Sequence, residues 1–555
     1  MAISAFIIKG RGKSLKELLS GLMGPAGFCV SLDNQIKELS YVLTDDRQHQ
    51  ARPLDCHDPE ATKIYEASLR FLVGMAMDAI QPELRVVITY GVSRSLFLSF
   101  YRKGDGKIFK ADRQLKDRLN VELRRLVKAD LPFVKKTLSK DEALALYGER
   151  GLRDRLDSLA CRDERQVHLY YCKDYFDYPY SCMVPSTGYL SRFRLNLVKP
   201  GIALCYPRYD QDGQIPPLTK EKNYGKALRR NLEWSQEAGL DTIAKLNQAL
   251  LTFGPVALIS MSEAYADSQL DSLCQKILAK GNDIKFICVA GPSSSSKTTF
   301  AKKLRAWLMS FGLRPIRISI DDYYLPQRLA PHKDDGKPDL ESVHALDLKR
   351  FDKDMASLAR GEATTIPEFD FTRGYATKSR VVKPLPGQPV IMEGIHALNP
   401  LLTPSIPDRE KFNVFISPQG QLAIDDHNPM SLTDNRLIRR IVRDSLTRAT
   451  SAERTILMWP GVREGEFKYI YPFEDQADFV FNSFLSYETC ALKDLALPLL
   501  AKVPKDSPAY PTATRLTKFL GFFPSLDARL IPNDSLIREF IGGSCFDDQS
   551  VKRGT

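Results

Sequence analysis

The chain has 555 residues, with 79 Lys plus Arg against 68 Asp plus Glu, which gives a net charge of +11. At roughly 150 residues per domain, this length predicts three to four domains. Hydrophobic residues make up 43% and charged residues 26%, a composition that excludes a disordered or fibrous protein. The positive charge favours anionic partners, a class that includes nucleotides, nucleic acid and acidic membranes.

Membrane and export signals are not apparent in the sequence. No apolar stretch approaches the roughly 20 residues that a membrane helix needs. The most apolar run of the middle region, residues 250–261, is interrupted by Gly254 and Pro255. The first residues lack the basic start and long apolar run of a signal peptide. Ten scattered cysteines form no C-x-x-C pair, so we expect reduced thiols and a cytoplasmic protein.

The N-terminal half mixes short strands with helices. Residues 1–60 alternate short apolar runs with turns, which predicts a small sheet-containing unit. Apolar spacing predicts a mostly buried helix over 63–80 and a charged amphipathic helix over 113–129. Residues 165–200 are rich in Tyr and Phe and are broken by prolines, which predicts strands and loops. A further helical run is predicted from about 224 to 252.

From residue 285 the pattern changes to buried strands that alternate with helices. This alternation predicts a parallel sheet with helices on both faces. Ligands of such sheets bind at the carboxyl ends of the strands. The residues that directly follow each strand are therefore the candidates for a functional site.

The segment after the first of these strands has the form of a phosphate-binding loop. Residues 291–298 fit G-x-x-x-x-G-K-[ST], except that Ser296 replaces the second glycine. In such a loop the backbone N–H groups bind phosphate, the lysine reaches the β/γ oxygens, and the threonine ligates Mg²⁺. The alternative is a serine-rich turn before a helix, but the flanking strand and helix favour the phosphate loop. The predicted nucleotide-binding residues are Gly291, Ser293, Ser294, Ser295, Ser296, Lys297, Thr298 and Thr299.

Ser296 departs from the motif in a way that has a physical cost. Glycine tolerates a positive φ, whereas a Cβ there costs on the order of 1 kcal/mol. Serine also adds a hydroxyl donor. We therefore expect a weakened or retuned phosphate site.

Three carboxylates lie at the ends of later strands. Asp321 and Asp322 follow one strand and could bind Mg²⁺ or accept a proton from a substrate hydroxyl, unless they only cap a helix. Glu393 ends another buried strand. A carboxylate there costs desolvation unless it meets a cation or donors, which favours a Mg²⁺ role over a simple turn.

A predicted helix near residue 440 carries a row of arginines at positions i, i+3, i+4 and i+7, which lie on one face. One interpretation is a lid whose guanidinium groups stabilise a transferred phosphoryl group. The other is a solvated face that pairs with interleaved carboxylates. The arginines are Arg436, Arg439, Arg440, Arg443 and, about a turn later, Arg448, and the carboxylates are Asp434, Asp444 and Glu453.

Seven segments of this half together resemble one enzyme family. They are GPSSSSKTTFAKKL, ISIDDYY, LESVHALDL, IPEFDF, VIMEGIHALNP, DNRLIRRIVRD and REFIGGS. They are similar to segments of the uridine kinase/phosphoribulokinase family, and most to its long bacterial members with a threonyl-tRNA-synthetase-like N-terminal half. The resemblance covers nearly the whole chain and is specific over 285–500.

The resemblance implies an ATP- and Mg²⁺-dependent kinase that phosphorylates the 5′-hydroxyl of a nucleoside. It implies that Asp321 is the general base and that Glu393 shares Mg²⁺ with Thr298, with Asp321 close to the metal. Lys297, Arg443 and Arg448 would act on the phosphates as further catalytic residues. The implied substrate residues are Tyr324, Glu341, Phe369 and Arg440.

Two departures from the family pattern limit what carries over. The histidine that reads a pyrimidine edge is absent, because Thr372, Arg373 and Gly374 follow Phe369-Asp370-Phe371. A further lid arginine is replaced near Thr450. Kinase chemistry therefore carries over better than pyrimidine specificity.

The N-terminal half resembles the ubiquitin-like (TGS) unit and the editing domain of the synthetase. The H-x-x-x-H positions of that editing domain hold Ala67 and Phe71, and the later C-x-x-x-H stretch ends in 183–187 without a histidine. We therefore expect a retained fold without editing chemistry, which serves as a scaffold, a regulator or an RNA contact.

The predicted fold class is α/β, with a P-loop kinase domain whose parallel sheet is wound by helices, preceded by β-grasp-like and α+β domains. The domains are 1–60 (TGS-like), 61–223 (editing-like α+β), 224–280 (helical connector), 281–505 (P-loop kinase) and 506–555 (C-terminal helical segment). Two alternatives stay open: a kinase of another sugar or polyol, and a catalytically weak nucleotide-sensing or tRNA-binding protein. We expect a small-molecule partner. RNA is an open alternative as a partner, although the sequence has no aromatic-basic signature that would indicate RNA binding. The oligomeric state is unknown from the sequence.

Overall fold

The fold was analysed in a computed structural model. It describes residues 5–24, 26–162, 164–219, 221–333, 336, 338–370 and 373–546.

The first unit is a small antiparallel sheet with one short helix. Its strands pair in the order β1-β4-β2-β3. A capping box between Ser14 and Glu17 starts the helix, and Leu15 and Leu19 fill the space beneath the sheet. The elements are β1 (Phe6–Ile8), α1 (Leu15–Leu18), β2 (Cys29–Leu32), β3 (Gln35–Glu38) and β4 (His49–Leu54).

The second unit has two antiparallel sheets packed with helices. One sheet has the order β11-β12-β6-β5, with β7 beside β6, and the other has the order β10-β9-β8. The long buried helix begins at Pro59, four residues before the predicted start, because Asp58 caps it. The elements are α2 (Pro59–Ile80), β5 (Leu84–Tyr90), β6 (Leu96–Arg102), β7 (Ile108–Phe109), α3 (Arg113–Ala129), β8 (Val134–Ser139), α4 (Lys140–Glu149), α5 (Arg153–Ala160), β9 (Gln166–Cys172), β10 (Tyr175–Asp177), β11 (Arg194–Val198) and β12 (Gly201–Cys205).

Two helices, α6 (Lys222–Glu237) and α7 (Ile243–Ala279), connect this unit to the next. The sequence predicted one helical run to about residue 252, but the chain breaks after α6, and α7 runs on to Ala279 with a kink at Gly254, whose φ is 78°. By length and composition alone α7 is apolar enough to cross a membrane. Its inner face, including Leu270 and Leu273, packs into the protein core.

The third unit is built on a parallel sheet of the order β14-β17-β13-β18-β21, as the α/β prediction requires. Helices cover both faces, and β13 lies at the centre of the sheet. The elements are β13 (Phe286–Ala290), α8 (Lys297–Ser310), β14 (Ile316–Ser319), α9 (Leu348–Ala359), β15 (Thr364–Asp370), β16 (Tyr375–Val382), β17 (Val390–Glu393), β18 (Lys411–Ser417), β19 (Ala423–Asp425), β20 (Asn428–Pro429), α10 (Leu432–Arg448), α11 (Ala452–Tyr469), β21 (Phe479–Asn482), α12 (Glu488–Leu500), α13 (Tyr510–Leu520) and α14 (Arg538–Ile541).

Buried ionic contacts join the second unit to the third. Arg155 of α5 pairs with Asp177 at 2.8 Å, and the imidazole Nδ1 of His427 lies 2.6 Å from the same carboxylate. The backbone N–H of Asp426 donates to Asp154 at 3.1 Å. We call this group the junction cluster; its members are Asp154, Arg155, Asp177, Asp425, Asp426 and His427.

A second contact across the junction clamps the start of α10. The carboxylate of Asp434, in the first turn, accepts from Lys63 of α2 at 3.0 Å and from Arg515 of α13. Arg515 also pairs with Glu60 of α2 at 2.7 Å. The helix that carries the arginine row is therefore anchored in both the N-terminal half and the C-terminal segment.

Candidate active site

The loop after β13 approaches the neighbouring strand so closely that only glycine fits at its start. A Cβ on Gly291 would lie 2.0 Å from the carbonyl oxygen of Ile416, in β18. The loop then turns and delivers the chain to the N-terminus of α8 at Lys297. The strand, loop and helix thus follow the order that the sequence motif predicts.

Serine hydroxyls line the turn of this loop. Ser294 and Ser296 adopt positive φ values of 60° and 68°, a region that disfavours side chains. The hydroxyls of Ser294, Ser295 and Ser296 are buried, and none has a hydrogen-bond partner among the described residues. Unpartnered buried polar atoms are costly, so these three hydroxyls fit a site that receives an acceptor-rich ligand such as phosphate.

Lys297 and Thr298 lie where the loop becomes helix. The Lys297 ammonium donates to the carbonyl of Pro292 at 3.0 Å, and burial lowers its pKa. The Thr298 hydroxyl lies 3.4 and 3.5 Å from the two carboxylate oxygens of Glu393. Arg317 pairs with the same carboxylate at 3.2 Å. Burial, together with Asp321, raises the pKa of Glu393 to about 7.

The adjacent carboxylates Asp321 and Asp322 have different environments. Asp321 lies in the 3-10 turn after β14, and burial raises its pKa while the charges of Lys297 and Arg448 oppose that rise. Asp322 instead accepts the backbone N–H of Phe369 at 3.2 Å, which ties it to the β15–β16 hairpin. Asp321 is therefore the carboxylate of the pair that faces the charged groups of the loop.

The four predicted substrate residues border this space. The rings of Tyr324 and Phe369 are 6.0 Å apart, and the Tyr324 hydroxyl donates to the carbonyl of Leu340 at 3.1 Å. Burial and the nearby Glu466 raise the pKa of Glu341 to about 7. Arg440 donates to the Ser293 hydroxyl at 2.8 Å. Phe371 and Thr372, which belong to the departure from the family pattern, lie outside the described residues.

The arginine row of α10 divides into two groups. Arg436 pairs with Glu466 and donates to the carbonyl of Ser293, and fully buried Arg439 pairs with Glu488 and donates to the carbonyl of Ser294. These two arginines hold the outside of the phosphate loop.

The other three arginines share Asp444. Arg440, Arg443 and Arg448 approach that carboxylate at 3.2, 2.8 and 3.7 Å. These three arginines therefore pair with one of the interleaved carboxylates, as the second interpretation of the row expects. Burial lowers the pKa of Arg440 and of Arg448, as do the neighbouring guanidinium groups. Three arginines that share one carboxylate leave surplus positive charge beside the loop.

Sequence reasoning missed three carboxylates of the site. Glu466 accepts the backbone N–H of Ser293 at 3.1 Å, Glu488 neutralises Arg439, and Glu539 of α14 accepts the backbone N–H of Thr299 at 3.2 Å. Of the three, Glu539 lies in REFIGGS, one of the segments that carry the family resemblance. No local spacing identifies these pairs, because the partners are 49 to 240 residues apart.

The two positions on α2 where the resemblance places the H-x-x-x-H pair are packed with apolar groups. Ala67 and Phe71 are buried on α2. The Phe71 ring packs edge-on against Phe133 and Tyr175 at 5.2 and 5.0 Å. The described residues contain no group of three or more His, Cys, Asp or Glu side chains that could hold a metal.

The two halves of the chain are similar to different groups of known proteins. Residues 286–489 match the model of the phosphoribulokinase/uridine kinase family. The N-terminal half matches threonine–tRNA ligases, among them that of Acidithiobacillus ferrooxidans, with 27% identity over 232 residues, 41% of this chain and 33% of the relative. The resemblance expected from the sequence is confirmed at this level.

Two further similarities concern shorter parts of the chain. "Inorganic pyrophosphatase TTM2" of Arabidopsis thaliana is 28% identical over 171 residues, 31% of this chain and 21% of the relative. A solved structure, a "Possible Uridine Kinase from Bacillus stearothermophilus", is 18% identical with a TM-score of 0.28, and the match covers 39% of this chain and 98% of that one. The chain spans about a fifth to a third of the length of these curated relatives.

Proposed function

We propose that the chain is an ATP-dependent phosphotransferase that transfers a phosphoryl group to a hydroxyl of a small molecule, namely the 5′-hydroxyl of a nucleoside. The observation that carries the proposal is the convergence of three buried serine hydroxyls, which have no hydrogen-bond partner in the described part of the chain, with Lys297 and Asp321 at the start of α8. The match of residues 286–489 to the phosphoribulokinase/uridine kinase family supports the same reaction class.

The loop is suited to hold the phosphates of the donor. The first N–H groups of α8 and the hydroxyls of Ser294, Ser295 and Ser296 offer donors around one concave turn. Lys297 would exchange its bond to the Pro292 carbonyl for a phosphate oxygen. Positive charge from Arg440, Arg443 and Arg448 would neutralise the transferred group.

Thr298 and Glu393 fit a magnesium site. A carboxylate and a hydroxyl 3.4 Å apart provide the hard oxygen ligands that Mg²⁺ takes together with phosphate oxygens and water. When bound there, Mg²⁺ would neutralise charge on the phosphates. Arg317 holds Glu393 in place, and Asp321 adds a second carboxylate nearby.

Asp321 is proposed to be the general base. Its raised pKa suits a group that takes a proton from an attacking hydroxyl. The acceptor would lie between this carboxylate and the aromatic pair Tyr324 and Phe369, where Glu341 could bind sugar hydroxyls. The sequence lacks the histidine that reads a pyrimidine edge in the similar family. The acceptors to be compared are therefore nucleosides with different bases, other sugars and polyols.

A substrate panel tests the proposal directly. Purified protein with ATP and Mg²⁺ is assayed for ADP release with nucleosides, sugars and polyols, and one acceptor should stimulate turnover. Asp321→Asn should reduce that turnover by about 10²- to 10⁴-fold and keep ADP binding. Asp322→Asn, which removes a neighbouring carboxylate tied to Phe369, is the matched control and should retain the Asp321-dependent step.

Two results would contradict this proposal. Full turnover in Asp321→Asn would dismiss the base. ADP binding with no turnover on any acceptor would show that the protein is a nucleotide sensor and not a kinase. Salt-dependent binding of tRNA would then favour the tRNA-binding alternative.

A further inference from the structure

The C-terminal segment places a carboxylate on the phosphate loop. Glu539, in the short helix α14, accepts the backbone N–H of Thr299 in the first turn of α8 at 3.2 Å. The first N–H groups of a helix have no intrahelical partner, and they are the donors that an incoming phosphate takes. Ser296, the residue before the helix, makes no side-chain capping bond. Glu539 therefore caps α8 from a distant part of the chain.

The negative charge of Glu539 acts on Lys297, at the centre of the site. Burial lowers the pKa of Lys297, and among the carboxylates that oppose this effect Glu539 is the strongest, ahead of Glu393 and Asp321. The carboxylate thus adds negative charge near the lysine and accepts an N–H of the helix N-terminus. A nucleotide would bring negative charge to the same two groups, and like charges that close repel.

The backbone that carries Glu539 is firmly held. Its neighbour Phe540 is fully buried against the guanidinium of Arg439, 5.0 Å away. Arg538 donates to the carbonyls of Pro532 and Ala528, both at 3.1 Å. The segment does not have to leave for the carboxylate to move, because rotation of the Glu539 side chain alone releases the Thr299 N–H.

We infer that Glu539 is an intramolecular competitor of the nucleotide: its carboxylate occupies a phosphate-binding N–H of α8 in the free protein and must swing away when phosphate binds. This inference rests on the proposed nucleotide site. It assigns to the C-terminal segment a control of nucleotide affinity, in addition to its packing against the kinase domain. The contact also explains how the loop is stabilised before its ligand arrives.

The test compares ADP binding to the full-length wild-type protein and to Glu539→Gln, by titration calorimetry at fixed ionic strength without Mg²⁺. Loss of the competing charge should tighten ADP binding about tenfold. Asp534→Asn is the matched control, since this carboxylate of the same segment pairs with Lys303 at 3.3 Å and does not contact the loop. It should change the affinity less than twofold. A second measurement, hydrogen exchange of the Thr299 amide without ADP, should be faster in Glu539→Ala, which removes the accepting oxygen that glutamine would keep.

The outcomes separate this inference from the function on which it rests. If wild type binds ADP and Glu539→Gln binds it equally or more weakly, the competitor role is wrong and the proposed nucleotide site stands. If neither protein binds ADP, both the nucleotide site and the competitor role are wrong. Unchanged exchange at Thr299 in Glu539→Ala would also overturn the role, because the carboxylate would then not protect that amide in the free protein.

Discussion

Ser296 should lower the stability of the free protein and increase its affinity for phosphate, and substitution can separate these effects. Its φ of 68° puts a Cβ in the left-handed region, which costs roughly 1–2 kcal/mol of stability. Glycine at this position would remove that strain but would lose about 0.5–1 kcal/mol through the backbone entropy that it gives up on folding. Its buried hydroxyl has no partner among the described residues, which costs about 1–3 kcal/mol. Ser296→Gly should therefore stabilise the free protein by about 2 kcal/mol, and Ser296→Ala by about 1.

The same two variants test whether the Ser296 hydroxyl contributes to ADP binding. If the hydroxyl donates to a phosphate oxygen, both variants should bind ADP about tenfold more weakly than wild type. Equilibrium unfolding in urea, followed by the fluorescence of the three tryptophans, measures stability, and calorimetry measures affinity. The alanine variant is the control, because it removes the hydroxyl and keeps the Cβ.

Either of two results would refute this reasoning about Ser296. A glycine variant less stable than wild type would show that the positive φ carries no strain there. Affinity for ADP unchanged in both variants would show that the hydroxyl does not contact phosphate.

Three further predictions concern other parts of the fold. Gly291→Ala, whose Cβ would meet a backbone oxygen at 2.0 Å, should abolish measurable ADP binding, and retained affinity would contradict the close approach. Arg439→Met leaves Glu488 buried without its cation and should cost about 3–5 kcal/mol in urea unfolding, whereas a loss below 1 kcal/mol would contradict the pairing. Burial raises the pKa of Asp425 to about 6, so the folded state binds the extra proton and this residue's contribution to stability should fall as pH rises from about 4 to 6. Asp425→Asn should flatten that part of the pH profile relative to wild type, and an unchanged slope would dismiss the shift.

Local pattern was sufficient for the parts of the fold that depend on neighbouring residues. The amphipathic spacing of 113–129 predicted α3 to the residue, with Leu115, Leu119, Leu123 and Leu126 buried along one face. The strand–loop–helix order around the phosphate loop needed only residues 285–310. The β15–β16 hairpin was missed, because most of β16 is exposed and carries no alternating apolar signal.

The candidate site was predictable where strand ends converge. Asp321 and Glu393 follow neighbouring parallel strands, and the sheet brings both carboxylates to the phosphate loop. The identity of the ion pairs could not be read in the same way. Arg436 and Arg439 had several acidic residues within reach in sequence, but buried Glu466 and Glu488, on other helices, neutralise them. Such choices depend on tertiary packing.

The clamp on Asp434 has a consequence for synthesis on the ribosome. The first turn of α10 is held by Lys63 and Arg515, which lie far apart on either side of α10 in the sequence. Domains generally fold in the order in which they emerge, at about 5–20 residues per second. Here the helix behind the phosphate loop can complete its contacts only after Arg515 has left the exit tunnel. The unit built on the parallel sheet therefore stays incomplete until Arg515 has been made.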